Sequence, residues 1–178
     1  MGALTNYYTD PAGGSDITGN GTIGTPWQTV QKALNTITRD ATNGDQINVK
    51  AGGTDTLVAS LTLVTYGTPT TTAPLAIRGY TSAANDGGIG VVSGNGLVGC
   101  FTGSPLFTNL VDMRFTNCGS AAIVTLGNTC LALNCEFDTS TGNGFISSSP
   151  VIGCYFHNLG GVATTTATRV LFCTFRNE

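Results

Sequence analysis

Charge is scarce in this chain. Lysine, arginine, aspartate and glutamate make up 10% of its 178 residues, against about 25% in an average soluble domain. Seven basic residues face ten acidic ones, for a net charge of −3, so the basic footprint of a nucleic-acid binder is missing. No apolar run approaches the roughly 18 residues of a membrane helix. The opening Met1-Gly2-Ala3-Leu4-Thr5-Asn6 has neither a basic n-region nor an apolar core, so no secretory signal is expected. Asn6 also breaks the myristoylation pattern. Glycine and threonine are plentiful instead, 25 and 30 residues, and 40% of the chain is apolar, which argues against disorder. The composition is that of one weakly charged, β-leaning domain with enough residues for a sizeable core.

Four segments superimpose: Met113-Arg114-Phe115-Thr116-Asn117, Cys135-Glu136-Phe137-Asp138-Thr139, Cys154-Tyr155-Phe156-His157-Asn158 and Cys173-Thr174-Phe175-Arg176-Asn177. Their phenylalanines are 22, 19 and 19 residues apart. Each segment alternates like a strand with one buried face, with Met or Cys inward, Phe inward two residues later, and Asn (once Thr) closing the inward row. Arg114, Glu136, Tyr155 and Thr174 then point outward, as do Thr116, Asp138, His157 and Arg176. A second apolar column is expected through Ile123, Phe145 and Val162. Glycine, serine, threonine and asparagine between the columns suit tight turns.

A unit of this period with no helical segment predicts an all-β fold: a right-handed, single-stranded parallel β-helix, or solenoid. Like side chains would stack at the spacing of hydrogen-bonded strands, about 4.8 Å, and inward asparagines would bond along the stack. A leucine-rich repeat has a similar period but places a helix or 3₁₀ segment in each unit, which Gly160-Gly161-Val162-Ala163-Thr164-Thr165-Thr166 does not suit.

Thr25-Pro26-Trp27-Gln28 reads as a helix start, with Thr25 as N-cap, Pro26 in the first turn and Gln28 closing a capping box. Trp27, Val30, Ala33, Leu34 and Ile37 share one face at helical spacing. Asn43-Gly44-Asp45 then turns the chain into Gln46-Ile47-Asn48-Val49, the expected first strand. Leu61–Val64, Leu75–Arg78 and Ile89–Val92 are further strand candidates. Residues 1–45 thus form an N-terminal arm with an amphipathic helix capping the first rung, and residues 46–178 the parallel β-helix, within one structural domain.

Tyr7-Tyr8-Thr9-Asp10-Pro11-Ala12-Gly13-Gly14-Ser15-Asp16, Gly24-Thr25-Pro26-Trp27-Gln28-Thr29-Val30-Gln31-Lys32-Ala33 and Gly44-Asp45-Gln46-Ile47-Asn48-Val49 resemble the opening of right-handed parallel β-helix proteins of the pectate-lyase-like superfamily. Ala76-Ile77-Arg78-Gly79-Tyr80 and the Cys-x-Phe-x-Asn rungs extend the resemblance over nearly the whole chain. It implies a fold more than an activity, since that superfamily includes polysaccharide lyases, glycosidases, phage tailspikes and non-enzymatic virion proteins.

Six cysteines are present: Cys100, Cys118, Cys130, Cys135, Cys154 and Cys173. Three share one column and cannot all pair with one another. Their spacings match no zinc signature, so they read as small buried side chains in a chain made in a reducing cytoplasm. No metal, cofactor or catalytic residue is assigned on this reading. The alternative constellation is Glu136, Asp138 and His157. Asp138 would orient His157 as general base, and Glu136 with Asp138 would supply the paired carboxyls of a glycosidase; an exposed ladder of alternating charge explains the same residues. Asp10, Asp16 and Asp86 stand alone in glycine-rich loops and read as turn formers, as does Asn20-Gly21-Thr22. Clustered calcium-binding aspartates, which the resemblance would imply for a lyase, are missing. An ice-binding face would need Thr-x-Thr on each rung, which Glu136 and Tyr155 interrupt.

The chain stops within a rung, at Phe172-Cys173-Thr174-Phe175-Arg176-Asn177-Glu178. An uncapped layer of that kind marks Phe172, Cys173 and Phe175 as an interface with a second copy or another protein. With the resemblance, these features imply a non-enzymatic virion protein, a bacteriophage capsid-decorating (cement) or short fibre or spike component. It would be a homo-oligomer, with a trimer the natural guess, made in the host cytoplasm and located in the virion. A carbohydrate-active enzyme or polysaccharide-binding module is the competing expectation.

Overall fold

The computed structural model describes residues 3–97, 99–103, 105–119, 122–127, 129–146, 149–161, 163–165 and 167–176. The N-terminal half holds β1 (Thr5–Thr9), helix α1 (Val30–Thr36), β2 (Asp45–Lys50), β3 (Thr54–Thr56), β4 (Leu75–Tyr80) and β5 (Gly90–Ser93). The C-terminal half holds β6 (Thr108–Val111), β7 (Met113–Thr116), β8 (Ala122–Thr125), β9 (Leu131–Leu133), β10 (Glu136–Ser140) and β11 (Asn143–Ile146). It ends with β12 (Val151–Ile152), β13 (Tyr155–Leu159), β14 (Thr164–Thr165), β15 (Val170–Leu171) and β16 (Thr174–Arg176). The protein is therefore predominantly β. Among the described residues no helix is long and apolar enough to cross a membrane.

The strands sort into three parallel sheets. One has the order β1-β2-β4-β6-β9-β12-β15, the second β3-β5-β7-β10-β13-β16 and the third β8-β11-β14. From β6 onward the chain visits the sheets in fixed rotation: β6, β7, β8, then β9, β10, β11, then β12, β13, β14, then β15 and β16. Parallel neighbours need a crossover between them, and here the strands of the other two sheets supply it.

Single residues make the corners of this path. Asp112, Asn134, Gly153 and Phe172 follow strands of the first sheet, and all have φ between 52° and 62°. Asn117, Thr139 and Asn158 hold the same left-handed conformation, at φ 51°, 49° and 53°, at or near the ends of β7, β10 and β13. Asparagine and glycine tolerate that conformation better than other residues. The same geometry corrects the expected inward asparagine row. A left-handed residue reverses the alternation, so Asn117, Thr139 and Asn158 are exposed while Cys118 and Ser140 turn inward. Asn177 lies outside the described residues.

Phe115, Phe137 and Phe156 are almost fully buried. Phe137 stands opposite Phe115 and Phe156, and Phe156 opposite Phe175. Their rings stack at centroid separations of 5.8, 4.9 and 5.2 Å. Met113, Cys135 and Cys154 are buried beside them. The second column differs from expectation: Phe145 pairs with Val124 and Thr164, so Ile123 sits one position out of register. Val162 lies outside the described residues.

The N-terminal half departs further. β1 pairs with β2 along its whole length, so the first strand is Thr5–Thr9. The helix begins at Val30, with Thr29 as N-cap accepting a hydrogen bond from the Lys32 N–H. Thr25 is therefore not the cap. Trp27 is held extended instead: its N–H donates to Tyr8 O at 3.1 Å and its carbonyl accepts from Asp10 N at 2.8 Å. Asp16 accepts from the N–H groups of Gln28 and Thr29, at 2.8 and 3.0 Å, which occupies the next two donors. The predicted helix face is therefore reduced to Val30, Ala33 and Leu34, while Trp27 and Ile37 are buried from outside the helix. Leu61 makes only an isolated bridge to Phe101, so Leu61–Val64 is not a strand. Leu75–Arg78 and most of Ile89–Val92 fall within β4 and β5.

Candidate functional site

The polar face of the second sheet gathers the singled-out side chains because its strands pair in register. Arg114 lies opposite Glu136, Glu136 opposite Tyr155, Asp138 opposite His157 and His157 opposite Arg176. One ligand atom from each of Glu136, Asp138 and His157 lies within 4.8 Å of the others.

Asp138 is 1% exposed. Its Oδ2 accepts from Arg114 Nε at 2.7 Å and also from Arg114 Nη2, and its Oδ1 accepts from Thr116 Oγ1 at 2.9 Å and from Thr139 Oγ1. Burial pushes this carboxyl up, but the bonds from Thr139, Arg114 and Thr116 outweigh it and hold it below the usual carboxylate range. Burial likewise works against the Arg114 charge, yet the Asp138 bond and charge raise the guanidinium above its ordinary value.

His157 does not use Asp138. Its Nε2 is 2.8 Å from Glu136 Oε1 and 4.0 Å from Asp138 Oδ2. The Asn158 amide lies 3.1 Å from Nδ1, and Tyr155 stacks on the ring at 4.5 Å. The expected Asp138–His157 pair is thus replaced by Glu136–His157, because the Arg114 fork and two hydroxyls already fill Asp138. Glu136 and Asn158 thus engage both ring nitrogens, so neither is open to a substrate.

The chemistry follows from these contacts. The carboxyls are close enough for glycoside cleavage, but a general acid needs a raised carboxyl pKa and Asp138 is shifted the other way. Glu136, Asp138 and His157 are also the residues that a divalent cation would use. The Arg114 guanidinium occupies Asp138 and lies 3.4 Å from Glu136, so a cation would meet a positive charge already in place. The cluster is a hydrogen-bonded polar network that ties β7, β10 and β13 together.

The surface expected at Phe172, Cys173 and Phe175 adjoins an aliphatic column that the sequence reading does not include. On the outer face of the first sheet, Tyr8, Asn48, Arg78, Val111, Leu133, Ile152 and Leu171 stand in register. The column changes from polar to aliphatic along its length, and Leu133, Leu171 and the adjoining Phe172 are exposed, Phe172 by 90%. The signal was present in Leu131-Ala132-Leu133, Val151-Ile152 and Val170-Leu171, where both faces of a short strand are apolar and the usual alternation is lost. At the far end of the second sheet Phe175 is 52% exposed. Phe156, Leu159, Phe175 and Arg176 help line an open hollow of about 290 Å³ there. Cys173 is half-buried.

Of the other sequence candidates, Asp10, Asp86 and Asn20 act as turn formers, whereas Asp16 clamps the segment before α1 through Gln28 and Thr29 instead. Asp10 accepts from the N–H groups of Ala12 and Gly13 and pairs with Lys50 at 2.8 Å. Asp86 accepts from the N–H groups of Thr81, Ser82 and Ala83. Asn20 accepts from the Thr22 N–H at 3.1 Å. All six cysteines are reduced, and Cys100, Cys118, Cys130, Cys135 and Cys154 are buried.

No protein-family model matches the chain, and neither does a curated protein or a solved structure.

Proposed function

We propose that this chain is a right-handed parallel β-helix whose N-terminal end is covered by α1, and that it serves as a non-enzymatic assembly component of a virion. The fixed rotation through three parallel sheets supports the fold reading. The resemblance to pectate-lyase-like β-helix proteins, which include phage tailspikes and virion proteins, supports a bacteriophage capsid-decorating (cement) protein or short fibre or spike component.

Phe172 carries the assembly reading. It occupies the corner position held elsewhere by Asp112, Asn134 and Gly153, in the same left-handed conformation, and is 90% exposed. A bulky residue there costs about 1–2 kcal/mol in backbone strain and gains little burial in the isolated chain. A strained, solvent-facing aromatic beside Leu171 and Phe175 has its use in contact with another molecule. The contact is proposed to be a second copy of this chain, in a homo-oligomer for which a trimer is the working assumption.

Light scattering on the wild type and on Phe172→Asn tests this. The wild type should be a stable oligomer. The variant should dissociate at least tenfold more readily while melting at the same or a higher temperature, because asparagine accepts the corner. A wild-type monomer, or a variant that assembles as well as the wild type, would overturn the proposal.

A second reading, a carbohydrate-active or polysaccharide-binding β-helix, draws on the convergence of Glu136, Asp138 and His157 within 4.8 Å. It requires cleavage of an acidic or neutral polysaccharide that Asp138→Asn abolishes while the variant keeps its fold. A wild type inert on such substrates removes that reading.

A further inference from the structure

We infer that Cys100 and Cys118 are a redox pair that a small disulfide oxidant closes into a covalent link between consecutive passes of the chain. Their Sγ atoms are 2.8 Å apart, inside the contact distance of two unbonded sulfurs, and have about 0.8 Å left to close to a disulfide bond of about 2.05 Å. Backbone bonds hold both residues in place: the Cys100 N–H donates to Ile123 O at 2.7 Å and the Cys118 N–H to Thr139 O at 3.0 Å. The approach is therefore built into the pairing of neighbouring segments. Cys135 and Cys154 further along also share a thiol–thiol hydrogen bond, but there Cys154 Sγ also accepts from the Cys135 backbone N–H at 3.4 Å.

Both thiols are buried, yet the route to solvent is short. Gly119, next to Cys118, packs so tightly on the turn at Gly96 that an added Cβ would lie 2.0 Å from Gly96 O. Asn95, Gly96 and Leu97 of that turn are exposed. Displacing this one turn admits a small reagent. Either thiol can donate to the other across this contact. Cys118 adjoins Gly119 and the exposed turn at Gly96, so it is the sulfur a reagent reaches first and the one that attacks.

The chemistry balances with a low-molecular-weight disulfide as oxidant. The Cys118 thiolate attacks one sulfur of the reagent, forming a mixed disulfide and expelling one thiolate. Cys100 loses its proton to that thiolate and attacks Cys118 Sγ, expelling the second. Two protein thiols become one disulfide, and the reagent leaves as two thiols.

The test uses the full chain, fully reduced and then exposed to oxidised glutathione, unfolded in maleimide and mapped by mass spectrometry. The expected product is two hydrogens lighter, with Cys100 and Cys118 joined and Cys130, Cys135, Cys154 and Cys173 alkylated. The oxidised form should melt about 5–10 °C above the reduced form, a shift missing from Cys118→Ser. Alkylation of all six thiols would overturn the inference, as would protection of a different pair or a link between two chains. The wild-type map decides the matter even where a cysteine variant fails to fold.

Discussion

Replacing Phe137 by alanine probes the stack on which the molecule is organised. Phe137 has essentially no exposed surface and touches three other rings, Phe115, Phe156 and Phe145, at centroid distances of 5.8, 4.9 and 5.4 Å. A buried Phe→Ala change costs about 3–5 kcal/mol through lost transfer energy and the cavity left behind. Each aromatic pair adds roughly 0.5–1.5 kcal/mol beyond buried area, so this site belongs at the upper end, about 5 kcal/mol. Phe175 is the control: it is 52% exposed and stacks on Phe156 at 5.2 Å, so its truncation should cost about 1–2 kcal/mol. In urea unfolding with a slope of about 2 kcal/mol/M, Phe137→Ala should lower the midpoint by about 2.5 M and Phe175→Ala by less than about 1 M. Circular dichroism and tryptophan fluorescence at Trp27 would follow the two transitions. Equal costs at the two sites, or a larger one at Phe175, would refute the argument that ring burial along the stack sets the stability.

Two further perturbations test other parts of the molecule. Asp55 is buried and its carboxyl is pushed up to about 6, first by burial and, against the opposing Val30 N–H bond, also by the charge of Asp16. A carboxyl that holds its proton more tightly when folded favours the native state below the unfolded value near 4 and loses that contribution as pH rises through about 6. Asp55→Asn, which keeps an acceptor for Val30, should therefore remove about 3 kcal/mol of pH dependence between pH 4 and pH 7, and chemical denaturation at the two pH values would read this out. Gly79 admits no side chain, because an added Cβ would lie 2.1 Å from Gly88 O, 2.3 Å from Asp112 O and 2.4 Å from Gly90 N. Gly79→Ala should cost about 3 kcal/mol or more; an unchanged melting temperature would show that the close approach of β4 and β5 is not a constraint.

The C-terminal architecture could be read from the sequence because one signal, phenylalanine every 19 to 22 residues, coincides with the pairing register. Where a single residue bends the chain, that signal misled. Counting alternate positions places Asn117 and Asn158 inward, but a left-handed φ breaks the count and turns them outward. The helix start was displaced by four residues because Thr25-Pro26 carries every local mark of a cap, while tertiary bonds from Tyr8, Asp10 and Asp16 hold Trp27 and Gln28 outside the helix. β1 escaped notice because Thr-Asn-Tyr-Tyr-Thr shows no clean alternation and is stabilised as a strand by pairing with β2. At the polar cluster the register of Glu136, Asp138 and His157 followed from the repeat. The partner of His157 did not, since the competition of Arg114, Thr116 and Thr139 for Asp138 depends on side-chain reach.

Within each sheet a strand borders only the strand one pass before it and the strand one pass after it. Within each sheet, cohesion is therefore passed from neighbour to neighbour, with no direct strand pairing between distant strands. Loss of the terminal strands β15 and β16 leaves the remaining pairings intact, whereas a break between β7 and β10 divides the second sheet in two. Local damage has consequences that depend on address, and the middle of the molecule is where the fold is least forgiving.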